Sequence, residues 1–292
     1  MKDYDPRLRG SSLIERAVAR LSDDDIVPIG LDPRPTISGR VSDAGPRHGA
    51  VPIDRAALER QGMLVPGAPV NALAEEMRLV KRHLLNTATD LARRNSRHAR
   101  SILVGSARPG EGKTFSAINL AISLAAERDL DILLVDADFA KPDILPRLGV
   151  EATSGLLDAL ANPSSVDVER LILPTDIPHL SLLPAGTQSD NDTELLASSR
   201  GRALIDRLTS ADPRRIVIFD SPPALAASSG SALASQVGQI LMIVRADSTS
   251  ESDLRAAVQM FDACEHIQLL LNVVTLTHGV PRFGYYGEEA RR

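Results

Sequence analysis

Gly110, Gly112, Lys113 and Thr114 carry the clearest chemistry in this chain. They close the run Gly105-Ser106-Ala107-Arg108-Pro109-Gly110-Glu111-Gly112-Lys113-Thr114. The glycines let backbone N–H groups turn toward phosphate oxygens without a side chain in the way. Lys113 is placed to reach the β- and γ-phosphates of a nucleotide, and the Thr114 hydroxyl to ligate Mg2+. Ala107 stands where the pattern usually begins with glycine, and it is small enough to keep the turn tight. The expected nucleotide contacts are Ala107, Arg108, Pro109, Gly110, Glu111, Gly112, Lys113, Thr114 and Phe115. Two acidic motifs follow. Asp136 and Asp138 are alternate residues after Ile132-Leu133-Leu134-Val135, a spacing that turns both carboxylates to one side of a strand end. Beside a phosphate-bound Mg2+ such acids hold metal-bound water or take a proton. Asp220 ends Ile216-Val217-Ile218-Phe219, where P-loop NTPases carry a metal-side carboxylate. Each acid has a plainer alternative as a helix cap or turn residue. Asn272, after Leu269-Leu270-Leu271, either reads an adenine edge or makes a turn.

A phosphate loop works only between a strand and a helix. Ile102-Leu103-Val104 precedes this one, and a helical stretch from Phe115 to Glu127 follows it. Further apolar runs at 132–135, 180–183, 216–219, 240–244 and 267–274 alternate with helical stretches. That alternation predicts an α/β fold of the P-loop NTPase class, with a mostly parallel sheet covered by helices on both faces. Asn71 to Ala92 has helical period, with Leu73, Met77, Val80, Leu84 and Leu85 on one side. Upstream, Ser11–Leu21 reads as a short amphipathic helix, which either packs on its own domain or docks a partner. Asp23-Asp24-Asp25 and a series of prolines from Pro28 to Pro69 follow, a composition that predicts a flexible linker over about 22–70. The expected organisation is a helix and linker over 1–70, the nucleotide domain over 71–274, and a mobile tail over 275–292 with Gly279, Pro281, Gly284 and Gly287.

Composition narrows the function. The chain has 292 residues, 43% of them hydrophobic, enough for a sizeable core. A net charge of −5 provides no overall footprint for nucleic acid. Aromatics make up 3% and Trp is absent, so the core must be aliphatic and platforms for stacked bases are few. The single Cys264 excludes an internal disulfide and is either a reactive thiol or a packed, inert one. The six histidines are scattered, none at metal-ligand spacing. No stretch reaches the roughly 18 apolar residues of a membrane span. Met1–Gly10 is charged and lacks the apolar region of a secretory signal. A cytoplasmic chain is expected, meeting a membrane only through a partner or a surface helix.

Taken together these strings resemble the bacterial tyrosine kinases (BY-kinases) of exopolysaccharide loci. The closer likeness is to the tyrosine autokinase of exosortase-linked (XrtA/PEP-CTERM) polysaccharide systems. The resemblance runs through SLIERAVARL, EEMRLVKRHLL, GSARPGEGKTFSAINLA, LLVDADFAKPDILPRLG, SLLPAG, TELLAS, RIVIFDSPP and GYYGEE. It implies an ATP- and Mg2+-dependent protein-tyrosine autokinase, in which Lys113 and Thr114 are the Walker A pair. Asp136 and Asp138 become the second acidic motif and Asp220 the Walker B acid, with Lys113, Asp136, Asp138 and Asp220 catalytic. Thr114, Asp136 and Asp220 fall on the metal side. The family's Glu-x-x-Arg-x-x-Arg ring-assembly motif falls on Glu75, Arg78 and Lys81, where lysine keeps the charge and loses the planar fork. Ala140 stands where an arginine usually precedes Lys-Pro. The phosphoacceptors would be Tyr285 and Tyr286, reached in trans. From Val273 an extended chain spans roughly 40 Å to Tyr285 at about 3.3 Å per residue. The implied partners are further copies in a ring and the cytoplasmic segment of a membrane polysaccharide co-polymerase, at the inner face of the membrane. Two other readings compete. One is a MinD/ParA-like ATPase switch, whose signature-lysine slot holds Arg108; the other is a non-catalytic protein that uses ATP to set assembly.

Overall fold

The apolar runs become strands. The computed structural model describes residues 49–274; Ser11–Leu21, residues 22–48 of the expected linker, and the tail with Tyr285 and Tyr286 lie outside them. The strands are β1 (Ser101–Ser106), β2 (Asp131–Asp136), β3 (Leu173–Pro174), β4 (Leu180–Leu183), β5 (Arg215–Asp220), β6 (Gln239–Arg245) and β7 (Ile267–Asn272). They form one sheet in the order β3-β4-β2-β5-β1-β6-β7. Every pairing is parallel except β3 on β4. β3 lies outside the apolar runs that predict strands. It is two residues long and ends in Pro174, which lacks the N–H a central strand needs, so it can only sit at an edge.

Alternation along the strands sorts the core into two layers. Ile102, Val104, Ile132, Leu134, Ile216, Ile218, Leu241 and Ile243 share one layer. Over them lie Met77 and Leu84 of α2 (Ala72–Arg93) and the nearly wholly buried α3 (Lys113–Ala125). Asn71 caps α2 by accepting the Ala74 N–H at 2.9 Å, so the helix begins where its period begins. Leu103, Leu133, Val135, Val217, Phe219, Ile240 and Met242 point the other way. They meet helices that include α5 (Leu156–Ala161), α7 (Ser199–Ser210) and α9 (Glu251–Met260). Nearly every core contact is aliphatic; Phe219 and Phe261 are the largest fully buried side chains.

The linker expected over 22–70 does not extend through 51–65. Val51 forms a parallel bridge with Thr175 beside β3. Asp54 then caps α1 (Arg55–Arg60). Ile53, Leu58, Met63 and Leu64 are buried in the layer that holds α2 and α3. The Leu64 N–H donates at 2.7 Å to Oδ1 of Asn119, a fully buried residue of α3 whose Nδ2 donates to the Phe115 carbonyl at 2.7 Å. Proline density points to a linker here, but Pro52 and Pro66 lie on either side of the helix without entering it, while the apolar residues between them bury. The folded domain therefore includes residues 51–65. A Leu58→Ala substitution is expected to cost about 2–5 kcal/mol in denaturant unfolding, as for any buried leucine. A linker leucine would cost no more than about 0.5 kcal/mol.

Candidate active site

The phosphate loop leaves β1 at Ser106, whose hydroxyl donates to the Arg108 carbonyl at 2.9 Å. Gly110 and Gly112 take φ of 80° and 98°, a region that side chains resist. Gly112 is the N-cap of α3 and offers no side-chain cap, so the first N–H groups of the helix remain available to an anion. Lys113 opens that helix and is 7% exposed. Ala107 is buried; Arg108, Pro109 and Gly110 are exposed at the lip, and Thr114 and Phe115 are half-buried at the helix start. A Cβ on Gly112 would lie 2.2 Å from Asn272 Nδ2. Gly112→Ala is therefore expected to weaken ADP binding about tenfold or more, through strain of about 1–3 kcal/mol, as read by titration calorimetry.

The acids gather at the same end of the sheet. Asp136 and Asp220 are register partners at the ends of adjacent parallel strands, β2 and β5, so their side chains start side by side. Asp136 Oδ2 accepts the N–H groups of Asp143 and Ile144, both at 3.1 Å. Its Oδ1, and both carboxylate oxygens of Asp220, are buried without a hydrogen-bond partner. Burial pushes Asp220 up to about 8, helped by the charges of Asp136 and Asp138, while the Thr114 hydroxyl and the Lys113 ammonium pull the other way. Burial likewise pushes Asp136 up to about 7, with Asp138 adding to it. Asp138 lies just past the end of β2, half-buried, and accepts the Lys141 N–H at 3.3 Å. Burial raises it above the ordinary carboxylate range, against the pull of Lys113. Three orphan carboxylate oxygens beside a lysine, at the mouth of a phosphate loop, fit a hard divalent cation that arrives with phosphate oxygens and water.

Other sequence candidates fall differently. Asn272 ends β7 but its Nδ2 donates to the Glu111 carbonyl at 3.0 Å. Its amide braces the phosphate loop through that bond. Glu75 and Arg78 pair with each other on the exposed face of α2. Lys81 turns inward, to the Ser123 carbonyl at 3.0 Å and Glu127 at 2.6 Å, and is 14% exposed. Within the single chain it caps the end of α3, apart from the exposed Glu75–Arg78 pair. Arg108 forms a two-pronged pair with Asp253 of its own chain at 2.7 and 3.0 Å, rather than pointing across the nucleotide mouth. Cys264 is buried and its thiol is pushed up by burial, which makes it the inert alternative. Sequence reasoning missed Thr249 and Asp253, which touch the loop from the segment after β6. Thr249 lies in the polar run Ala246-Asp247-Ser248-Thr249-Ser250 and Asp253 in the first turn of α9, and only the fold brings them to the loop.

Comparison with known proteins bears on the same region. A family model described as an AAA domain matches residues 99–272. The tyrosine-protein kinase YwqD of Bacillus subtilis is 27% identical over 236 residues, covering 80% of this chain and 94% of that protein. A protein described as the putative tyrosine-protein kinase EpsB of Ralstonia nicotianae is 30% identical over 207 residues, which is 71% of this chain and only 26% of EpsB. The crystal structure of the VpsO kinase domain superposes with a TM-score of 0.54 at 29% identity, covering 68% of this chain and 97% of that domain. Among the described residues no helix is long and apolar enough to cross a membrane.

Proposed function

The chain belongs to the AAA-domain family, within its bacterial tyrosine-kinase branch, and from that premise we propose that it transfers the γ-phosphate of ATP to Tyr285 or Tyr286 of a neighbouring copy. The observation that carries this reading is the in-register pair Asp136 and Asp220 beside Lys113, with Asp138 half-exposed in front of them. Nucleotide binding follows from the loop and family; the division of labour among the side chains is our assignment. The N–H groups of residues 110–114 and the Lys113 ammonium hold the phosphates and stabilise charge on the transferred group. Asp138 accepts the tyrosine proton as the Oη–phosphorus bond forms and the bond to ADP breaks. A carboxylate raised toward neutrality suits that task. Thr114, Asp136 and Asp220 would hold Mg2+, which when bound neutralises charge on the phosphates.

By its sequence resemblance the activity serves exopolysaccharide chain length or export, in a ring of copies docked on a membrane co-polymerase. Incubation of the full chain with Mg-ATP, followed by phosphosite mapping, tests the chemistry. Phosphate is expected on Tyr285 or Tyr286. A Lys113→Ala copy should still accept it from an active copy that lacks both tyrosines. An ATP-bound sample with neither tyrosine labelled would sink the proposal.

A further inference from the structure

A carboxylate between the two glycines of a phosphate cradle is a liability, since it repels the anion the loop must hold. Glu111 is such a residue, and it is only 3% exposed. Both its oxygens are engaged. Oε2 accepts the Arg108 N–H at 2.9 Å, within the loop. Oε1 receives the Thr249 hydroxyl, from the segment that joins β6 to α9. Thr249 Oγ1 in turn accepts the Arg245 N–H at 2.9 Å, so its single hydrogen is directed to the carboxylate. The Arg108–Asp253 pair ties the loop to the first turn of α9, and Asn272 holds the Glu111 carbonyl.

We infer that Thr249 is a positioning residue for nucleotide binding, whose hydroxyl holds the Glu111 carboxylate out of the phosphate cradle. The effect runs through Glu111, and it depends on the negative charge of that side chain. The inference rests on the nucleotide-site reading and not on tyrosine as the acceptor. Valine at 249 keeps the shape of threonine and removes the donor. Serine keeps the donor.

The test measures fluorescent ADP with Mg2+ on the full chain, with thermal melting beside it. Thr249→Val is expected to bind about tenfold more weakly and Thr249→Ser within about twofold of the unaltered chain. The decisive variant carries Glu111→Gln with Thr249→Val. With no charge left to restrain, it should bind within about twofold of Glu111→Gln alone. A merely structural threonine would instead weaken both backgrounds equally, and that result overturns the inference. So does unchanged binding by Thr249→Val. Failure of the unaltered chain to bind ADP would remove the nucleotide site and this inference with it. Intact ADP binding without phosphotyrosine would count against the kinase reading alone.

Discussion

Lys113→Ala is expected to lower tyrosine phosphorylation by about 10²–10³-fold, the loss seen when one preorganised stabiliser of transition-state charge is removed. Lys113 is 7% exposed and opens α3 over a site that excludes much of the solvent, where a point charge acts more strongly than in water. The substitution has a second consequence. The Lys113 charge pulls down both Asp138 and Asp220, so its loss pushes those carboxylates further toward the protonated form. Metal ligation and proton acceptance then weaken together. Lys113→Arg retains the charge but not the compact ammonium, and should recover only part of the rate. Rates of phosphotyrosine formation, with ADP affinity measured on the same samples, check the expectation. Transfer by Lys113→Ala at more than about a tenth of the normal rate would contradict the role given to this residue.

Asp220→Asn is expected to do two opposite things: abolish phosphoryl transfer and stabilise the nucleotide-free protein. The carboxylate is fully buried, both oxygens lack partners, and it is pushed from 3.8 up to about 8. In the unfolded chain it ionises near pH 4; in the folded protein it resists until about pH 8. The unfolded state therefore releases its proton first, and stability falls as pH rises through that window. Relaxation and water entry reduce the cost to about 2 kcal/mol at pH 8, or roughly 4–8 °C in melting temperature for a domain this size. Asparagine removes the ionisable group, so the gain should be largest near pH 8 and fade toward pH 4. Melts at both ends of the window, without nucleotide or metal, measure it. A variant that melts below the unaltered protein at pH 8 would mean that the Thr114 hydroxyl and the Lys113 ammonium compensate the buried Asp220 carboxylate, and would overturn the expectation. On the proposed reading, the site trades stability for a buried charge that would hold Mg2+.

The site was legible in the sequence to the extent that its signals were local. Gly110, Gly112 and Lys113 announce a loop whose geometry depends on their own backbone, and Asp136 and Asp220 end strands that read as apolar runs. Helix α2 began at its own cap. Features set by distant partners were not legible. Asn272 has the same identity whether it faces a base or the Glu111 carbonyl, and only the placement of β7 beside the loop decides. Lys81 falls on a charged motif by resemblance, and only the fold sets it against Ser123 and Glu127 at the end of α3. Pro52 and Pro66 pointed to a linker, yet the residues between them fold because Leu58 and Met63 find a hydrophobic layer that composition alone does not show.

The bond between Leu64 and Asn119 has a consequence for exchange kinetics. The Leu64 amide lies outside every regular element, where an N–H ordinarily trades its proton with solvent quickly. Here it is held by a fully buried side chain whose own amide is bound within α3. It can exchange only when that helix opens or the segment before it peels away. Opening of the helix that begins at the phosphate loop therefore releases the Leu64 amide with it. Nucleotide bound at the start of α3 should slow deuterium uptake at residue 64, a position that touches no ligand.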